Sequence, residues 1–271
     1  MYTPLGLNIG YLSTTTTCWV EGLGSSDRPD GLVAATLCEI LTDGSVRRVT
    51  YGVLNLTHRN SDEKPEPLEP GVPVDVRLQL NGIAHRFGRG NRIRVALSTA
   101  YWPIVWPSPR PVSLEVLLQA SSLFLPVRQR SAADDLLTDF RPAEHTPPLR
   151  PDMLEPEFIS WTICHDVHTG ITTVRRIENE GVRRHADHHL ETGGWRESIY
   201  SIKPDDPLSA RADIQSKRQY SREGWCVSST TQIVATSTET HFVVHAMLNA
   251  YEKEQLVFNR KWSLEIPRDH V

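Results

Sequence analysis

An every-second-residue hydrophobic alternation constrains this chain more than any other feature. In "VDVRLQL", Val74, Val76, Leu78 and Leu80 share one face while Asp75, Arg77 and Gln79 share the other. "RIRVAL" repeats the pattern with Ile93, Val95 and Leu97, and "VSLEVLL" with Val112, Leu114, Val116 and Leu118. A period of two buries one side of an extended strand and wets the other, so the pattern predicts half-buried antiparallel strands. Asp43-Gly44 falls between "LVAATLCEIL" and "VRRVTYGVLNL", and Asn81-Gly82 follows "VDVRLQL". Both dipeptides supply the positive φ angles of tight hairpins. No helix-period segment precedes residue 130, and "SAADDLLTDF" is read as a turn or two of helix.

Residues 141–156, "RPAEHTPPLRPDMLEP", are proline-rich and lack a period, which reads as a connection. Beyond it, "EFISWTICHDVHTGITTVRRIE" predicts a hairpin turning at Thr169-Gly170. The remaining β-branched and aromatic runs extend the all-β reading to the end of the chain. The expected organisation is a β domain over 1–128, a linker over 129–156 and a β-rich segment over 157–271.

Composition narrows the function classes. The 271 residues carry a net charge of −4, and the arginines are scattered rather than striped, so no nucleic-acid partner is expected. No apolar run reaches the ~20 residues that span a bilayer. The first residues lack the basic start of a signal peptide, and a cytoplasmic chain is expected. The four cysteines (Cys18, Cys38, Cys164, Cys226) are widely spaced, so reduced thiols are the default.

Candidate chemistry is sparse. No G-x-S-x-G elbow occurs, and Ser25 and Ser26 in "GLGSSDRPDG" read as a turn. His241 and His245 in "HFVVH" have a helical zinc spacing, but on a strand they stand ~13 Å apart. His165 with His168, and His185 with His188 and His189, could meet in loops, yet no cysteine pair supports them. No metal or other cofactor is expected. Glu63, Glu66 and Glu69 lie in a proline-broken loop and read as solvated rather than as a tuned dyad.

"STAYWPIVWPSPRP" stands apart. Pro103, Pro107, Pro109 and Pro111 restrain the backbone around Tyr101, Trp102 and Trp106 and lower the cost of ordering it. Two readings stay open: a loop folded on its own core, or a preorganised surface for another domain, since aromatics are enriched at interface centres.

The motifs "SDRPDG", "GVLNLTHR", "IAHRFGRGNRIRVALS" and "YWPIVWPSP" occur in order between residues 25 and 118. They resemble the C-terminal β domain of the X-Pro dipeptidyl-peptidase and cocaine-esterase family of serine hydrolases. "DPLSARA" and "THFVVHAMLNAYE" look like an extra C-terminal segment carried by some bacterial members. The resemblance implies an antiparallel jelly-roll sandwich of the galactose-binding type, packed in the family on an α/β-hydrolase domain that carries the catalytic Ser, Asp and His. No catalytic residue carries over to this chain, so no activity is expected of it alone. The match begins inside the jelly roll, although Leu5, Leu7, Ile9 and Tyr11 still alternate. The expected role is therefore a non-catalytic accessory module, as a fragment or split-enzyme subunit. Its expected partner is the hydrolase domain, contacted through Tyr101, Trp102 and Trp106, or a second copy of itself. The alternative is a carbohydrate- or ligand-binding module.

Overall fold

The computed structural model describes residues 18–127, 131–136, 141–144, 146 and 151–270. The alternation at Leu5–Tyr11 lies outside them, as does part of the expected linker. The chain divides into two compact units, one reaching Ser108 and resuming over Val112–Ala143, the other built mainly from Glu144–Asp269. All strand pairing is antiparallel, as the alternation predicts, and no α-helix occurs among the described residues. Of "SAADDLLTDF", Ala132–Leu136 forms a 3-10 turn, and 137–140 lie outside the described residues.

The first unit is a sandwich of two three-stranded sheets. Its strands are β1 (Trp19–Ser26), β2 (Leu32–Ile40), β3 (Val46–Asn55), β4 (Val74–Gln79), β5 (Arg92–Ser98) and β6 (Leu114–Phe124). One sheet runs β4-β1-β6 and the other β3-β2-β5. β2 is the near-continuous apolar run "LVAATLCEI" and is buried on both faces, as a central strand requires. Its odd-numbered residues Val33, Ala35 and Leu37 meet Leu78, Leu80 and Phe87 in the core. Gly52 stands opposite Ala35, where a Cβ would strike the Gln79 carbonyl and lie 2.7 Å from Leu78 Cδ2. Glycine there lets the two sheets approach.

One expected turn is corrected. Asn81-Gly82 does not close a hairpin, because β4 and β5 belong to different sheets and the chain crosses the sandwich between them. Asp43-Gly44 does turn β2 into β3, with Gly44 at φ +86°.

The second unit is one eight-stranded sheet. It comprises β7 (Asp152–Glu155), β8 (Phe158–His165), β9 (Thr172–Arg184), β10 (Glu191–Lys203), β11 (Asp206–Arg222), β12 (Trp225–Ser237), β13 (His241–Glu252) and β14 (Gln255–Pro267). From β9 onward each strand pairs with the next in sequence, and both β7 and β8 pair with β9. β7 thus forms from the end of the stretch read as linker. The expected β8–β9 hairpin turns at Gly170, φ +73°. Gly181, φ +67°, kinks β9 where a Cβ would collide with the Glu155 carbonyl, so β7 and β8 can both reach β9.

Candidate functional site

The aromatic loop leaves β5 at Ser98, whose Oγ accepts from Ala100 N at 3.2 Å. Ile104 N and Val105 N both donate to the Tyr101 carbonyl, at 2.9 and 3.0 Å, and fold the segment into a tight turn. The Trp102–Pro103 bond is cis. Trp102 and Trp106 stand edge to face, ring centroids 5.1 Å apart and planes at 88°. Both are half-buried, Pro107 and Ser108 are buried, and Ile104 at the tip is 51% exposed.

Tyr101 is held differently. Tyr51 pairs with Thr36, so it lies on the face of the β3-β2-β5 sheet opposite the core residue Ala35. The Tyr101 ring packs on Tyr51 at 5.2 Å, and its hydroxyl accepts from Arg48 Nη1 at 2.7 Å. Arg48 in turn sits over the Tyr51 ring, 5.3 Å from its centroid. Tyr101 is thus folded onto its own sheet, while Trp102 and Trp106 pack on each other.

A second polar cluster escaped the sequence reading. Glu39, on β2, is 2% exposed. Its Oε1 accepts from Gly88 N at 2.7 Å and from Asn91 Nδ2 at 2.6 Å, while His85 Nε2 lies 3.0 Å from Oε2. Burial alone would push this carboxyl up. The bonds from Asn91, Gly88 and His85, with the charge of His85, bring it below the usual carboxylate range. The available signal was an acidic residue inside an apolar run. The cluster ties the 83–91 crossing to β2, and Arg47 Nη1 stands 3.9 Å from the same carboxylate.

The other candidates remain dispersed. Ser25 and Ser26 do not form the expected turn but end β1, with Ser26 buried and its Oγ accepting from Arg28 N at 3.1 Å as the chain leaves the strand. Ser25 pairs with Glu115 within the β1–β6 ladder. Glu66 is engaged by Arg59 and Asn60, and Glu63, Glu66 and Glu69 are all exposed. His241 and His245 both lie on β13. His245 Nδ1 meets Ser263 Oγ at 3.1 Å on the sheet surface, without a strand-to-helix elbow to sharpen the serine. His165 bonds Thr172, and the His185 and His188 rings tilt together at 5.2 Å, with His189 at φ +55° in the same turn. Among the described residues no group of three His, Cys, Asp or Glu side chains converges on a metal position. Among them, too, no helix is long and apolar enough to cross a membrane.

The first unit is a packed β-sandwich in which Glu39 and Arg48 hold the segments that leave its strands. Residues 20–146, just under half of the chain, match the family described as the X-Pro dipeptidyl-peptidase C-terminal non-catalytic domain. No curated protein matches the chain. Among solved structures it is similar to an α-amino acid ester hydrolase (19% identity, TM-score 0.40) over 44% of this chain and 23% of that one. It is also similar to an aminopeptidase from a marine sediment archaeon, Thaumarchaeota (14% identity, TM-score 0.39), over 42% of this chain and 23% of that one. The chain thus matches under a quarter of the length of either protein.

Proposed function

We propose that the sandwich unit serves as the accessory domain of an X-Pro dipeptidyl-peptidase or ester-hydrolase type of enzyme, and that it associates with an α/β-hydrolase catalytic domain. The loop of Tyr101, Trp102 and Trp106 is its contact surface. The match over residues 20–146 to a domain described as non-catalytic carries the reading, since such a domain acts through the domain it accompanies. The loop geometry supports it. A tryptophan pair, an exposed Ile104 and proline-restrained backbone offer apolar area that loses little freedom on docking.

The test is co-expression with the catalytic domain of an X-Pro dipeptidyl-peptidase stripped of its own C-terminal domain. Co-purification is expected, and it should be lost with Trp102→Ser plus Trp106→Ser while far-UV circular dichroism is unchanged. Absence of binding by the wild-type chain, or binding indifferent to the double substitution, would overturn the assignment.

A further inference from the structure

The last strand of the second unit is long and, like β8, exposes apolar residues along most of its length. Twelve of the thirteen residues of β14 are exposed, Trp262 being the exception, yet the sequence is "QLVFNRKWSLEIP". Phe258 is 46%, Leu264 48% and Ile266 46% exposed. One edge of β14 pairs with β13, in unbroken register from Phe258 to Pro267. Among the described residues no strand pairs with the other edge. Exposed edges are commonly blunted by short length, a bulge, an interior proline or charged side chains, and of these β14 carries only the charges Arg260, Lys261 and Glu265. Here the register shift lies beyond Phe258, toward the Ala250–Tyr251 step, and proline stands only at the end. A long, regular, apolar edge of this kind is a template for another strand.

We propose that a second copy of this chain pairs with it, β14 against β14, antiparallel about a two-fold axis at Ser263. Residue parity limits the choice of register. Phe258, Arg260, Trp262, Leu264 and Ile266 share one face, and Asn259, Lys261, Ser263 and Glu265 the other. An axis passing through a residue keeps these faces matched, whereas an axis between residues inverts them. An axis at Lys261 would set that lysine against itself, which is unfavourable. An axis at Ser263 sets Lys261 opposite Glu265 of the second copy, and by symmetry does so twice. On the other face it sets Trp262 opposite Leu264 twice. The charges of the edge are thus self-complementary in this one arrangement, and the two-fold closes the assembly at a dimer instead of a fibre. The overlap runs from Asn259 to Pro267. This contact is small against the ~800 Å² per partner of a standard interface, so a dimer of about micromolar affinity is expected.

Sedimentation velocity of the full chain across roughly 1–100 µM tests this around that affinity. A reversible monomer–dimer equilibrium is expected. Lys261→Glu and Glu265→Lys should each weaken it by about fivefold or more, and the two together should restore it, because like charges oppose in each single variant and unlike charges return in the double. Circular dichroism checks that each variant is folded. Should one not fold, amide exchange on the wild-type chain decides, with protection of 259–267 rising with concentration. A wild-type chain that stays monomeric, a dimer insensitive to either reversal, failure of the double variant to recover, or concentration-independent exchange at β14 would each overturn the proposal.

Discussion

Arg48 on β3 and Tyr101 in the loop after β5, 53 positions apart, share a 2.7 Å hydrogen bond across the outer face of a sheet in which β2 separates their strands. Tyr51 contacts both, its ring tilted against Tyr101 and overlain by Arg48. This anchor restrains the loop from the side that the prolines do not. Tyr101→Phe is expected to cost about 1 kcal/mol, the net worth of one such bond. Urea unfolding should show it as a lowered midpoint with unchanged slope, together with easier acrylamide quenching of the tryptophans.

Acid sensitivity should centre on Glu39. Its carboxyl is held below the usual range in the folded chain, so the unfolded state binds the proton more readily. The stabilisation is therefore present above the unfolded value of about 4.3 and disappears as pH falls through the lower folded value. Glu39→Gln should flatten the acid limb of the stability curve. Glu39→Ala should cost about 2 kcal/mol or more at neutral pH, by leaving the Gly88 amide, Asn91 and His85 without their shared acceptor. An unaltered acid limb in the glutamine variant would assign the transition elsewhere.

Gly52→Ala should destabilise the sandwich by about 1–3 kcal/mol, as overpacking does, because the new methyl group is directed at the Gln79 carbonyl of the facing sheet. Gly44→Ala, with nothing within 4 Å, tests strain at positive φ alone. Thermal unfolding of the two variants separates steric from conformational cost.

The purified chain is expected not to hydrolyse activated esters or X-Pro-arylamides, since the residues described offer no nucleophile elbow. Turnover that survives repurification and is abolished by a serine-directed phosphonate would contradict this. Retardation on a polysaccharide affinity gel would instead favour the carbohydrate-binding alternative.

The strands were legible because alternation is local: β4, β5 and β6 could each be read from a few consecutive residues, as could the Gly44 and Gly170 turns. Sheet membership was not, because it depends on which distant strand lies alongside. Asn81-Gly82 has the chemistry of a hairpin turn but precedes a crossing between sheets, and only the pairing of β4 with β1 reveals this. Glu39 was passed over for the same reason, its partners lying 46 to 52 positions away. The three aromatics of the loop were found from composition and proline spacing, whereas the Arg48 anchor needed the fold.

The pairing order of the second unit has a kinetic meaning. From β9 to β14 every ladder joins neighbours in sequence, so each hairpin can close before the next strand exists and no long loop must first be drawn shut. In the sandwich, β1 finds β4 and β6 only after much of the intervening chain has been ordered. The meander is therefore suited to assemble progressively as it is synthesised, whereas the sandwich must wait for β6 to complete its first sheet.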